Sequence, residues 1–269
     1  MKGALLLAGA LALGAVAVMP AGAQSASDAI AQYREMLADG NPAELWEARG
    51  EDLWKQKRGP KQVSLEACDL GQGPGVVKGA YVGLPRYFAD TGKVQDLEQR
   101  LLTCMTTLQG MTMEQASVQP FGAGDSKRSV MEALVAWIAS ESQGMKIAPG
   151  SGHPQEQQAY QAGKAMFFYR GGPYDFACAT CHSAPDKRIR LQDVPDLTTT
   201  AGAQKAYGSW PAYRVSQGEV RTMQHRLNDC LRQQRFPEPI YASDAMTALI
   251  MYLAEQARGG EFVAPALKR

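Results

Sequence analysis

An internal repeat is the feature that most restricts how this chain can fold. Residues 100–104 read RLLTC, and residues 226–230 read RLNDC. Downstream, MEALVAWIASESQG from Met131 aligns with MTALIMYLAEQARG from Met246, and five of these fourteen positions are identical. Two matches in the same order predict a duplicated domain. We place the boundary between the two copies in the loop MKIAPGSGHP, residues 145–154.

Hydrophobic periodicity predicts helices joined by long loops that are rich in glycine and proline. The predicted helices cover residues 28–39, 42–55, 94–109, 129–142, 155–169, 218–234 and 243–258. Sustained strand alternation is missing, apart from weak short runs over residues 76–82. The sequence therefore predicts a mainly α fold.

The first residues are typical of a secretory signal. Lys2 precedes an apolar run over residues 3–18, and the small residues Ala21-Gly22-Ala23 follow it. These features predict a signal peptide over residues 1–23. The alternative is a membrane anchor, but the run is shorter than the roughly 20 apolar residues that a membrane span needs. We expect an exported chain without a membrane span, in the periplasm if the source is a bacterium.

Charge and composition limit the classes of ligand. The formal net charge of +1 provides no argument for binding nucleic acid or a membrane surface. The chain has three histidines, twelve methionines and five cysteines, and these residues limit which metal ligands are possible. An oxidising compartment also permits a disulfide.

The segment FACATCHSAP contains Cys178-Ala179-Thr180-Cys181-His182, a C-x-x-C-H motif. This motif attaches c-type haem: two thiols separated by two residues reach both vinyl groups, and the adjacent histidine binds the iron. A thioredoxin-like redox pair would need a βαβ context, and a zinc site would need a second pair of ligands. The sequence shows neither, so it favours one covalently bound haem c.

The first copy of the repeat lacks this motif. Cys68 lies in SLEACDLGQG, which has neither a second cysteine at the right spacing nor a following histidine. Cys68 and Cys104 are then left over in an oxidising compartment, which favours a disulfide between them. Two buried free thiols are the alternative.

Cys230 remains after the other four cysteines are assigned. The candidates for a distal haem ligand are Met223, His225, Met246, Met251, His153 and Cys230. An electron carrier commonly uses methionine. Arg226 precedes Cys230 by four residues on the same helical face, where a cation would favour the thiolate and a guanidinium could hold an anion. An inert cysteine beside a solvated arginine is the alternative.

Three further arginines lie near this cysteine in the sequence. Arg221, Arg232 and Arg235 flank the RLNDC segment. We expect all three to be surface charges.

The motif CATCH, followed by a helix with arginine four residues before cysteine, resembles the SoxA subunit of the SoxAX cytochromes of sulfur oxidation. The resemblance covers nearly all of the mature chain. It implies that Cys178 and Cys181 hold the haem and that His182 is the proximal ligand. It also implies that Cys230 is the distal ligand and the catalytic residue, as a cysteine persulfide. Arg226 would bind the substrate anion.

The same resemblance implies two tandem cytochrome c-like domains, residues 24–150 and residues 151–269. Many members carry a second haem in the first domain. This chain has Cys68 and Cys104 there, so it resembles the single-haem branch in which a disulfide replaces that haem. Cys104 would then be the counterpart of Cys230.

The activity implied by the resemblance is that of an L-cysteine S-thiosulfotransferase. Thiosulfate would be joined oxidatively to a cysteine of the carrier protein SoxYZ, with release of two electrons. The electrons would leave through the small cytochrome subunit SoxX, the partner in a heterodimer, to a soluble cytochrome c.

Two other functions are compatible with the residues. The first is a plain periplasmic electron-transfer cytochrome in which Met246 or Met251 is the second axial ligand and Cys230 is structural. The second is a haem-binding subunit without catalytic activity that only supports a partner.

Overall fold

The structure is a computed structural model. It describes residues 40–117, 129–189, 192–237 and 240–268 and the isolated positions 32 and 35. The predicted signal peptide lies outside these residues, as does the predicted helix over residues 28–39, apart from positions 32 and 35, which are helical. In the described ranges, no helix has the length and apolar character that crossing a membrane requires.

Most of the described secondary structure is helical. The helices are α1 (Glu44–Lys55), α2 (Leu97–Thr107), α3 (Met113–Ser117), α4 (Val130–Ser140), α5 (Pro154–Phe168), α6 (Cys178–His182), α7 (Thr200–Tyr207), α8 (Met223–Gln233) and α9 (Asp244–Gln256). The strands are β1 (Arg86–Phe88), β2 (Lys93–Gln95), β3 (Arg188–Ile189), β4 (Gln192–Asp193), β5 (Ala212–Arg214), β6 (Glu219–Arg221) and β7 (Ala266–Lys268).

Three sequence predictions of secondary structure were wrong. The helix predicted over residues 94–109 begins only at Leu97, because Lys93–Gln95 pairs with β1 as a strand. The helix predicted over residues 218–234 begins only at Met223, because Glu219–Arg221 pairs with β5 as a strand. Thr222 separates the two elements, since its hydroxyl accepts a hydrogen bond from the His225 amide at 3.2 Å and caps the helix. Residues 76–82 form turns and part of a 3-10 helix at Tyr81–Gly83 instead of a strand.

A hairpin that follows a cis proline and leads into a helix recurs in both halves. A cis peptide bond precedes Pro85 and Pro211, two strands follow, and then α2 or α8 begins. Pro211 follows Pro85 by 126 residues, and Cys230 follows Cys104 by the same number. The structural repeat is therefore longer than the five-residue match in the sequence.

A close helix crossing also recurs in both halves. On α1, a Cβ at Gly50 would clash with the backbone carbonyl of Ala133 on α4. On α5, a Cβ at Gly163 would clash in the same way with the carbonyl of Ala248 on α9. Ala133 and Ala248 occupy equivalent positions of the aligned sequences, so each half is built around the same glycine-mediated crossing.

The two halves share one hydrophobic core. Leu101 and Leu134 of the first half belong to the same cluster of buried residues as Phe167 and Leu253 of the second. The second half also contains a three-stranded sheet in which β5 pairs antiparallel with β6 and parallel with β7. The sheet leads directly into α8, the helix that carries Cys230.

Candidate functional site

The C-x-x-C-H segment forms the short helix α6. The Ala177 amide donates to the Thr180 hydroxyl at 2.9 Å, which fixes the start of this helix. Cys178 and Cys181 are half-buried free thiols. Burial, followed by the nearby Cys230, raises the pKa of Cys178 to about 11. The second half thus brings all three of its cysteines into one region.

His182 is oriented by the loop that follows α6. Its Nδ1 lies 2.9 Å from the Pro195 carbonyl oxygen, to which the ring N–H donates, and the Leu197 amide donates to the His182 carbonyl at 2.9 Å. Burial lowers the pKa of His182 and favours the neutral ring. A neutral imidazole with Nδ1 engaged presents Nε2 as a metal ligand. The donor set of α6, two thiols and one oriented imidazole, therefore fits covalent haem c.

The structure also bears on the alternative of a zinc site. Among the residues that it describes, no group of three or more His, Cys, Asp or Glu side chains could hold a metal ion. A structural zinc site needs four such ligands around one point. Covalent haem c needs two thiols and an adjacent imidazole from the chain, and α6 supplies these three groups, so the arrangement favours haem.

Cys230 lies on the second half of α8. Burial raises the pKa of its thiol, while Arg226 and Arg214 lower that pKa in part. The sequence predicted that Arg226 lowers the pKa of this thiol, and its charge does act in that direction. The net shift is upwards, because removal from water outweighs the two cations. A metal ion at the sulfur would favour the thiolate in this buried position.

Arg226 has only a loose ion pair. Its Nη1 lies 3.6 Å from Asp229 Oδ2, and the side chain is 34% exposed. The Asp229 carboxylate makes closer bonds, at 3.1 Å each, with Arg232 and Gln233. The Arg226 guanidinium therefore has donors that could bind an anion.

Sequence reasoning missed Arg214, which lies at the end of β5. Its positive charge acts on Cys230, and the charges of Arg214 and Arg226 act on each other. The Arg214 Nε is buried and has no hydrogen-bond partner among the described residues. Arg214 is 16 residues before Cys230, too far to be recognised from local spacing. The repeat could have indicated this residue. The position equivalent to Arg214 in the first half is Phe88, so the two halves differ in charge at this point.

The other candidates for the distal haem ligand are three methionines and two histidines. Met223, Met246 and Met251 are buried within helices. His153 caps α5 by accepting a hydrogen bond from the Gln155 amide at 3.2 Å, and its ring stacks on Tyr87 at 3.6 Å. His225 lies in the first turn of α8, where burial lowers its pKa to about 4.

The three flanking arginines do not behave alike. Arg232 and Arg235 are exposed, as the sequence predicted. Arg221 is buried and forms an ion pair with Glu132 of the first half at 2.9 Å, so the prediction of a surface charge was wrong there. The buried carboxylate comes from a residue 89 positions away, which no local pattern could indicate.

The described part of the first half has no counterpart of this site. Cys68 and Cys104 are linked by a disulfide with an S–S distance of 2.00 Å. Arg100, the equivalent of Arg226, donates to both carboxylate oxygens of Asp90 at 2.9 and 2.7 Å and lies over the Phe88 ring at 4.0 Å. Its side chain is only 6% exposed, so this guanidinium is committed to structure.

Comparisons with known proteins identify relatives over most of the chain. A family model described as the SoxA/TsdA cytochrome c domain matches residues 49–147 and 162–262. The L-cysteine S-thiosulfotransferase subunit SoxA of Hydrogenophilus thermoluteolus is 54% identical over 90% of this chain and 88% of its own length. The subunit of the same name from Hydrogenobacter thermophilus is 30% identical over 85% of this chain and 82% of its own length.

A solved structure has the same fold. The crystal structure of SoxXA from P. pantotrophus matches with a TM-score of 0.72 at 24% identity, over 88% of this chain and 84% of that chain. The prediction of a mainly α fold with two tandem cytochrome c domains is confirmed. The chain belongs to the SoxA/TsdA cytochrome c family.

Proposed function

We propose that this chain is the catalytic SoxA subunit of an L-cysteine S-thiosulfotransferase. The observation that carries the proposal is the position of Cys230, whose sulfur lies near the thiols of the C-x-x-C-H helix and near the guanidinium groups of Arg226 and Arg214. An electron carrier needs neither a cysteine nor two cations at this point. The two relatives compared above carry the name of this activity.

One haem c would be bound by the second domain. Cys178 and Cys181 would hold it through thioethers, and His182 and Cys230 are the residues that would ligate its iron. When bound, the haem would supply a one-electron acceptor for the reaction. The first domain carries the Cys68–Cys104 disulfide in place of a haem. We place the domains at residues 24–150 and 151–269.

Two arginines bind the substrate. Thiosulfate is a dianion, and the positive charges of Arg226 and Arg214 both act on the Cys230 sulfur. A guanidinium fork matches the oxygens of a sulfonate group as it matches phosphate. This arrangement directs the sulfonate end towards the arginines and leaves the terminal sulfur of thiosulfate next to Cys230.

Cys230 accepts and then transfers the sulfur group. A bond forms between the terminal sulfur of thiosulfate and the persulfide sulfur on Cys230, and two electrons leave. A cysteine thiolate of the carrier SoxYZ then attacks the terminal sulfur, and the Cys230 persulfide leaves as in thiol–disulfide exchange. The net reaction joins one thiosulfate to one thiol and releases one proton and two electrons.

The proposed reaction requires partners and an oxidising compartment. SoxX is the partner in a heterodimer and passes electrons to a soluble cytochrome c, and SoxYZ carries the product. The signal-like sequence over residues 1–23, the disulfide and the haem-attachment motif support a periplasmic location.

Electron paramagnetic resonance tests the position of Cys230. We expect the oxidised, haem-loaded protein to show a low-spin histidine/thiolate signal at low temperature, and Cys230→Ser to abolish it. Arg232→Ala, an exposed residue on the same helix, serves as the control and should leave the signal unchanged. A histidine/methionine signal that is indifferent to Cys230→Ser would contradict the proposal and favour the electron-carrier function.

Activity and haem content complete this test. With SoxX and SoxYZ present, wild-type protein should conjugate thiosulfate to the carrier, and Cys230→Ser should not. Full activity in Cys230→Ser would instead favour a subunit without a catalytic role. A pyridine haemochrome assay should give one haem per chain.

A further inference from the structure

The buried side chains of the helix that carries the reactive cysteine lie in its first turn. Of the eleven residues of α8, the buried ones are Met223 and Gln224. Arg226 and Cys230 are half-buried, and the last turn is largely exposed. The contacts of the first turn therefore help to fix where α8 begins and how it is directed.

Both polar atoms of the Gln224 side-chain amide are hydrogen-bonded. Its Nε2 donates to Asp96 Oδ2 of the first half at 2.6 Å, and its Oε1 accepts from the Ala242 amide at 3.0 Å. Gln224 and Asp96 are both buried, with exposures of 0% and 4%. A buried polar pair of this kind is costly to break, because the remaining partner loses water without gaining a bond. The pair therefore ties α8 to the first half.

A second contact runs in the other direction. Asp96 caps α2 by accepting from the Gln99 amide at 2.9 Å, as Thr222 caps α8. The Thr222 hydroxyl acts on the carboxyl group of Glu98, at the second position of α2, and lowers its pKa in part. Each helix thus has its second residue next to the capping residue of the other.

We propose that Asp96 of the haem-free half and Gln224 are positioning residues that hold α8 so that Cys230 and Arg226 face the C-x-x-C-H helix. Cys230 lies six residues after Gln224, about 9 Å along the helix axis. A helix is stiff over this length, so a shift of its first turn moves the cysteine. The inference rests on the proposed function, because it names what holds that function's catalytic residue. It also explains what the first half contributes without a haem.

Exchanging the donor and the acceptor tests this pair in the haem-loaded full chain. Asp96→Asn places two amide donors against each other, and Gln224→Glu places two carboxylates together. The double variant Asp96→Asn/Gln224→Glu restores one donor and one acceptor with the same total charge. Hydrogen exchange of the α8 amides, measured by mass spectrometry without substrate, reports whether the helix is held.

We expect each single substitution to speed exchange in α8 by about tenfold or more, as loss of a buried hydrogen bond implies. The double variant should return to within about threefold of wild type, since the bond is re-formed. The same variants should lower kcat more than they raise KM for thiosulfate, because Cys230 is displaced while Arg226 and Arg214 still attract the anion.

Gln109→Glu is the matched control. Gln109 is a fully buried glutamine of the first half whose amide donates to the Val63 carbonyl at 3.0 Å, within the same half. The substitution is chemically identical to Gln224→Glu, but it should leave exchange in α8 unchanged. If Asp96→Asn does not fold, because Asp96 also caps α2, then Gln224→Glu and the uncharged Gln224→Met decide the result.

Three results would overturn the inference: wild-type exchange in the single variants, a double variant no better than either single one, or an equal effect of Gln109→Glu. The exchange measurement needs no thiosulfate. Absence of thiosulfate conjugation by the wild-type protein would therefore overturn the proposed function while the exchange data still judge the positioning of α8.

Discussion

Two arginines at equivalent positions of the repeat have different surroundings. Arg100 and Arg226 each precede a cysteine by four residues. Arg100 is bound to Asp90 and lies over an aromatic ring, whereas Arg226 is partly exposed and 3.6 Å from the carboxylate of Asp229. The sequence pattern alone could not distinguish them, because the partners of Arg100 depend on how its hairpin folds back on α2. Only the second arginine is available for an anion.

Substitution of Arg226 should weaken catalysis selectively. We expect Arg226→Ala to lower kcat/KM for thiosulfate by roughly ten- to hundredfold, the effect of removing a charge-assisted hydrogen bond. Arg226→Lys should recover only part of this loss, because it keeps the charge and loses the fork. Steady-state kinetics with the carrier protein measure the effect. Arg235→Ala, an exposed residue just after α8, should stay within about twofold of wild type, and an equal loss there would contradict the assignment.

At the scale of elements, the glycine crossings explain why the helix pairs recur. Gly50 and Gly163 let the backbone of α1 and α5 approach that of α4 and α9. The sequence match between α4 and α9 predicted that each half ends in the same kind of helix. It did not indicate the glycines, because each lies on the partner helix outside the aligned segments.

Gly163→Ala should destabilise the second domain. Alanine favours an isolated helix by about 1 kcal/mol over glycine, but here its Cβ would collide with the Ala248 carbonyl. Backbone shifts of this kind cost about 1–3 kcal/mol, so we expect a lower melting temperature by a few degrees. Thermal unfolding followed by circular dichroism measures it. Lys164→Ala, at an exposed neighbouring position, should leave the melting temperature unchanged or slightly raised.

The disulfide should stabilise the first domain through its loop. Cys68 and Cys104 are 36 residues apart, and closing such a loop contributes about 4 kcal/mol in the chain-entropy model. We expect the double variant Cys68→Ala/Cys104→Ala to lose free energy of unfolding of this order. Its unfolding transition should therefore move to a lower denaturant concentration. The electron paramagnetic resonance signal of the haem should persist, since neither cysteine lies at the proposed haem site. Loss of that signal in folded protein would contradict a purely stabilising role.

At the scale of the molecule, buried carboxyl groups accumulate where the halves meet. Glu132 pairs with Arg221, Glu98 accepts from the Tyr241 hydroxyl at 2.7 Å, and Asp96 accepts from Gln224. Burial raises the pKa of Glu132 to about 7, even though the Arg221 charge acts against it. Burial and then the charge of Asp96 raise the pKa of Glu98.

These shifts predict how stability depends on pH. A carboxyl group with a raised pKa binds its proton more tightly in the folded than in the unfolded chain, so protonation favours folding. The free energy of unfolding should therefore rise as the pH falls from about 8 to about 5, by up to about 1.4 kcal/mol per pH unit for each carboxyl group, and the melting temperature should rise with it. Glu98→Gln should flatten the profile, whereas Glu51→Gln on the exposed face of α1 should not. A profile that falls over this range would contradict the prediction.

The sequence by itself determined the class of the protein. Its class follows from local patterns that can be recognised without knowledge of the fold: the C-x-x-C-H motif, the repeat and the helical periodicity. Only the tertiary structure decided which charged and polar groups meet. Arg221 is buried against a carboxylate 89 residues away, Gln224 against one 128 residues away, and Arg214 joins Cys230 from a neighbouring strand. The physical reason is that burial and ion pairing depend on contacts between distant segments, which a local pattern does not encode.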